Sequence, residues 1–120
     1  MDFKSYTFKE ALPNSKAVVR WDNLKMDEQG SPFFLSKHYP LSVAVDGNFG
    51  AAEVVLEGSC SFDQDDPDFS LLKDAQGDTI LIGTGGIRSV GTDCLYIRPR
   101  VIGGTGGTDL TVNLLIYHTR

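Results

Sequence analysis

Apolar residues recur at every second position along much of this chain. Leu41, Val43 and Val45 alternate with Ser42, Ala44 and Asp46, and Leu110, Val112 and Leu114 repeat the pattern near the far end. A period of two in β-branched and aromatic residues is the signature of half-buried strands. It predicts strands over residues 3–8, 17–21, 40–46, 52–58, 69–72, 79–82, 95–102 and 110–117. Within them Leu41, Val43, Val45, Val54, Leu56, Ile80, Ile82, Ile97, Val101, Val112 and Leu114 share one facing by their i, i+2 spacing and are expected to line the interior. No segment sustains a helical period, and the best local candidate, Ser5 to Ala11, is too short to stand alone.

Residues that tolerate positive φ punctuate these runs. Asp46-Gly47-Asn48-Phe49-Gly50 and Asp74-Ala75-Gln76-Gly77-Asp78 read as hairpin turns. Gly83-Thr84-Gly85-Gly86 and Gly103 to Gly107 read the same way. A phosphate loop would need a helix behind it and a lysine after it, and both of these loops run into strands. Leu24 to Pro32, with its Asp, Glu, Gln and Gly, reads as a loop. Pro99 has no amide hydrogen to give a ladder, which places its strand at a sheet edge or at a bulge. Short strands at regular spacing define an all-β fold, a single-domain β-sandwich and specifically a jelly roll, with about eight or nine strands. Residues 1–11 form an N-terminal strand or arm, and 12–120 the sandwich.

Composition narrows the function more than the fold. The 120 residues suit one domain, and 41% hydrophobic with 22% charged residues is an ordinary globular balance. The formal net charge is -5 and there is no Lys/Arg run, so the basic footprint of a nucleic-acid binder is missing and anionic membranes are disfavoured partners. The polar, alternating start and the lack of a long apolar run predict a soluble protein made in the cytoplasm. Cys60 and Cys94 are then expected as reduced thiols, with a disulfide as the alternative.

Few residues offer chemistry. His38 and His118 lie in no nucleophile or metal motif, so no catalytic residue, cofactor or metal site is expected. Asp63, Asp65, Asp66 and Asp68 form a solvated loop, a Ca²⁺ site without the glycine and terminal glutamate of an EF-hand, or a partner contact. Trp21 is either core or a sugar-stacking ring. Arg98 and Arg100 share one face of their strand and are either solvated or set to grip a carboxylate-bearing partner. Phe3, Tyr6 and Phe8 make the N-terminus too aromatic to float free, and predict packing against a partner.

Two stretches carry a family resemblance. Ser42-Val43-Ala44-Val45-Asp46-Gly47-Asn48-Phe49-Gly50-Ala51-Ala52-Glu53-Val54-Val55-Leu56-Glu57-Gly58-Ser59 is one. Tyr96-Ile97-Arg98-Pro99-Arg100-Val101-Ile102-Gly103-Gly104, followed by Gly107-Thr108-Asp109-Leu110-Thr111-Val112, is the other. Together they resemble the small jelly-roll capsid cement, or decoration, proteins of short-tailed bacteriophages. The resemblance is one of turns and alternation, over roughly residues 17–117. It implies a structural virion protein on the capsid exterior, made in the host cytoplasm. Such a protein is a homodimer that clamps neighbouring major capsid subunits, with no catalytic residue. The other expectation is a carbohydrate- or receptor-binding sandwich of a phage tail or fibre.

Overall fold

The computed structural model describes residues 5–11, 16–35, 41–60, 69–91, 94 and 96–117. Ten strands follow in chain order: β1 (Tyr6–Ala11), β2 (Lys16–Leu24), β3 (Phe33–Phe34), β4 (Leu41–Asn48), β5 (Glu53–Ser59), β6 (Ser70–Leu71), β7 (Leu81–Ile82), β8 (Gly86–Val90), β9 (Tyr96–Ile102) and β10 (Asp109–Tyr117). They form two antiparallel sheets, ordered β1-β2-β10-β4-β8 and β3-β9-β5-β6, with β7 also pairing β5. Strands β6 and β7 each cover part of the same strand, at Glu57–Gly58 and Val54–Val55, so together they occupy one strand position. The core of the order is then β2-β10-β4-β8 facing β3-β9-β5-β6/β7, which is the double Greek key of a jelly roll. The short strands β3 and β8 are the additions to the runs expected from sequence. The outer strand β1 contains the second half of the expected arm, paired with β2 from Tyr6↔Trp21 to Ala11↔Lys16.

All eleven residues expected inside are buried in one cluster shared by both sheets, with Ala17, Val19, Trp21, Leu24, Leu110 and Ile116 among the others. Alternation explains Ala17, Val19 and Trp21, but Leu24 breaks the parity. The cause is a bulge: between the pairs Leu110↔Leu24 and Val112↔Trp21, β2 advances one residue more than β10. Asn23 takes up the extra residue at φ 59. One inserted residue turns the next side chain back to the core, so both Trp21 and Leu24 are fully buried.

Three of the four expected hairpins are not hairpins. The turn after β4, at 46–50, leads from the first sheet to the second; 83–86 leads back from β7 to β8; and 103–107 joins β9 to β10, again across sheets. Positive φ at Gly47, Gly50, Gly86, Gly103 and Gly104 reverses the chain, as the glycines predict, but reversal does not decide which sheet receives the next strand. The turn at 74–78 is a true hairpin, closed by a Lys73↔Thr79 bridge. Asp74 Oδ1 accepts from the amides of Gln76 and Asp78 at 2.9 and 3.0 Å, an Asx arrangement that fixes the bend.

At one end of the sandwich the 46–51 turn and the 103–108 loop are tied to each other. The buried Thr108 hydroxyl donates to Phe49 O at 2.9 Å and accepts from Thr105 N at 2.9 Å. Asn48 Nδ2 donates to Gly107 O at 2.9 Å. A Cβ at Gly50, which has φ 53, would stand 2.6–2.7 Å from the Thr105 and Thr108 hydroxyls, so only glycine lets the two loops meet.

Strand β9 is not the outermost strand that Pro99 suggested. Beyond it lie β3, of two residues, and the segment at 28–30. Gly30 N donates to Pro99 O at 2.9 Å and Val101 N to Glu28 O at 2.8 Å. Both groups of a paired strand residue point the same way, so the missing Pro99 amide faces this short flank and not the full β5 ladder. The segment read as a loop, Leu24 to Pro32, therefore holds the Gln29↔Arg100 bridge.

Candidate interaction surfaces

The first candidate surface is a lateral edge where β1 of one sheet meets β3 of the other. Tyr6 stacks edge-on against Trp21, with centroids 6.0 Å apart, and against Phe33 at 5.2 Å. Phe8 lies nearly parallel to Phe33 at 5.9 Å. Edge-on and offset pairs of this kind add to area burial through the ring quadrupoles. The N-terminal aromatics thus find partners within their own chain, yet Tyr6 remains 36% and Phe8 46% exposed. Phe3 lies outside the described residues. Phe33 was not expected here, and the adjacent aromatic pair Phe33-Phe34 was the only trace of it in the sequence.

The second surface is the outer face of β9 and β5. Arg98 and Arg100 share a face, as their spacing predicts, and they meet on one carboxylate. Arg98 Nε donates to Glu57 Oε1 at 3.0 Å, and Arg100 Nη1 to Glu57 Oε2 at 3.4 Å. The environments differ: the Arg98 side chain is 9% exposed and the Arg100 side chain 53%. The Phe69 ring lies over the Arg98 guanidinium, 3.9 Å from carbon to centroid. A face open to solvent or a partner, as read from the sequence, therefore holds at Arg100 and not at Arg98. Glu57 is the residue that sequence reasoning missed, since nothing local shows which strand will lie beside Arg98.

Trp21 is core: it is fully buried, and its Nε1 donates to Ser31 O at 3.0 Å. No disulfide joins Cys60 and Cys94; Cys60 is exposed, and Cys94 packs partly buried against the core. Thiol alkylation of the native protein should therefore label Cys60 first and Cys94 more slowly, with both labelled after denaturation without reductant. Intact mass reads this directly, and a denatured mass with neither thiol labelled would reveal a covalent bridge instead. His38, His118 and the acidic residues of 63–68 lie outside the described residues. Among the described residues no three His, Cys, Asp or Glu side chains gather around a metal-sized site.

Fold and surfaces together define a jelly-roll sandwich with an aromatic lateral edge and a paired-arginine outer face. No family model matches the chain, and no curated protein matches it at a significant level. Among solved structures, an RmlC-like cupin protein from Desulfovibrio desulfuricans is similar to it at 11% identity, over 94% of this chain and 82% of that chain, with a TM-score of 0.48.

Proposed function

We propose that this chain is a capsid cement protein, a structural component that binds the exterior of a bacteriophage capsid and bridges neighbouring major capsid subunits. The observation that carries the reading is the half-exposed aromatic edge of Tyr6 and Phe8, held on a rigid sandwich by Phe33. Large rings fixed before docking bind with little loss of entropy, and modest contacts repeated on a lattice add through effective concentration. The sequence resemblance supports the same reading. The carbohydrate-binding alternative has lost its tryptophan: Trp21, the single one, is buried and cannot stack on a sugar.

Co-sedimentation with expanded shells of the parent phage tests the proposal. The protein should saturate at a fixed copy number per capsid subunit and bind isolated subunits far more weakly. Phe8→Asp should weaken shell binding by about tenfold or more, the effect of losing roughly 1.4 kcal/mol per contact, while the domain stays folded by circular dichroism. Wild-type protein that ignores expanded shells but binds glycans would replace this reading with the tail or fibre one.

A further inference from the structure

Strand β1 stands outside the jelly roll. The two facing sheets have their four strand positions each without it, and it lies beyond β2 as the outermost strand of its sheet. No described side chain of β1 belongs to the core cluster, whereas β2, β4, β5, β9 and β10 each supply two or more. What holds β1 is its ladder to β2 and the ring contacts of Tyr6 with Trp21 and Phe33 and of Phe8 with Phe33. Elements with few buried apolar contacts open locally, well below the free energy of global unfolding. Strand β2 is anchored differently. Its Ala17, Val19 and Trp21 are fully buried, and β10 pairs along its other side. When β1 lifts away, β2 stays and turns an unpaired backbone edge to solvent. Val19 and Trp21 then line one side of an apolar slot, and Phe33 of β3 the other. An open edge beside such a slot is the geometry that accepts an added strand: backbone bonds give affinity and alternate side chains give specificity.

We propose that the edge of β2 is a docking slot for an extended segment of another protein, and that β1 is a built-in strap that fills the slot until displaced. The inference goes beyond the capsid reading and does not depend on it. The strap itself defines the chemistry of the occupant. Register sets Tyr6 opposite Trp21 and Phe8 opposite Val19 on the inward side, with Thr7 opposite Arg20 between them on the outward side. The occupant is therefore a strand antiparallel to β2, aromatic at two alternate positions and polar between them. The β1 of a second copy has that pattern as well, but exchanging identical strands gains no contact and costs association entropy. A foreign segment gains by filling the slot better than Tyr6 and Phe8, whose rings stay partly open to water.

The tether sets the threshold. Only residues 12–15 separate β1 from β2 in the chain, and a link that short keeps the strap at an effective concentration on the order of millimolar. A free peptide that merely copies the strap competes poorly with it. Displacement needs a better-fitting segment or a weakened strap.

Two measurements on the full chain test this. In hydrogen exchange, the amides of β1 and those of β2 that face it should exchange much faster than the ladder between β10 and β4. Fluorescence anisotropy of a labelled peptide with the sequence of residues 2–11 should report weak binding to wild type. Binding should tighten about tenfold or more on the chain carrying Tyr6→Ser and Phe8→Ser, whose strap has lost its rings, and should fall back when Phe33→Ser is added. A peptide with both rings replaced by serine should not bind. Circular dichroism should show the strap variant folded; if it unfolds, β1 belongs to the fold and the proposal falls. It falls too if the β1 amides exchange no faster than the core, or if the strap variant binds the peptide no better than wild type. Binding untouched by Phe33→Ser would place the peptide elsewhere and equally overturn it. A wild-type dimer that the peptide dissolves would assign the slot to a second copy, which also overturns the proposal.

Discussion

Glu57→Ala should lower the unfolding free energy by about 3–5 kcal/mol, the usual cost of removing one member of a buried ion pair. The carboxylate is 8% exposed and takes bonds from two guanidiniums, and Arg98 beneath Phe69 is as buried as Glu57 itself. Without the carboxylate, the Arg98 cation stays desolvated with its main counter-charge gone. Urea unfolding followed by circular dichroism measures the loss. Two companion variants separate the causes. Arg100→Ala should cost less than about 1 kcal/mol, because a half-exposed pair at 3.4 Å is weak and screened. Joint replacement of Glu57 and Arg98 by leucine should recover most of the Glu57→Ala deficit, because no charge is then left buried. If Glu57→Ala unfolds at the wild-type urea concentration, the pair does not anchor this sheet.

Gly30→Ala should cost about 1–3 kcal/mol, or somewhat more, by overpacking. A Cβ at position 30 would lie 2.5 Å from Trp21 Cδ1, 2.6 Å from Trp21 Nε1 and 2.8 Å from Pro99 Cδ. The indole cannot retreat, since it is fully buried and its Nε1 is bonded to Ser31 O. The emission and near-ultraviolet dichroism of the single tryptophan should change along with stability. In a double-mutant cycle, Trp21→Phe removes the ring edge that collides with the new methyl. The cost of Gly30→Ala should therefore shrink in that background. An equal cost in both backgrounds would place the strain at Pro99.

The interior was legible because side-chain facing in a strand is a local property. Leu41, Val43, Val45 and their counterparts needed only the period of two, and all lie in the core. What could not be read depends on residues brought together from afar. The spacing of Arg98 and Arg100 correctly gave a shared face, but burial of Arg98 depends on Phe69 and Glu57, which reach it through loop closure and strand pairing. Gly30 looked like one more loop glycine, and its role exists only because Trp21 arrives above it. The glycine turns at 46–50, 83–86 and 103–107 signalled reversal with equal clarity. Their destinations were invisible, because crossing to the other sheet and returning within the same one require the same permissive backbone. The aromatic edge was half visible: Tyr6 and Phe8 stood out, while the two-residue β3 that receives them was too short to give a pattern.

The place of β10 in the first sheet has a consequence for how the chain acquires its shape. It lies between β2 and β4, paired with Lys16–Leu24 on one side and Leu41–Asn48 on the other, so those two strands never touch as neighbours. In synthesis β10 leaves the ribosome after all nine other strands. Until residues 109–117 emerge, β2 and β4 each expose an unpaired edge and an open apolar face, and no earlier segment fills the gap. Closure must await the strand that comes last in this order, and it joins segments far apart in sequence, which makes the step slow. The nascent chain is therefore most vulnerable to aggregation just before β10 emerges, and shielding by a chaperone would matter most in that interval.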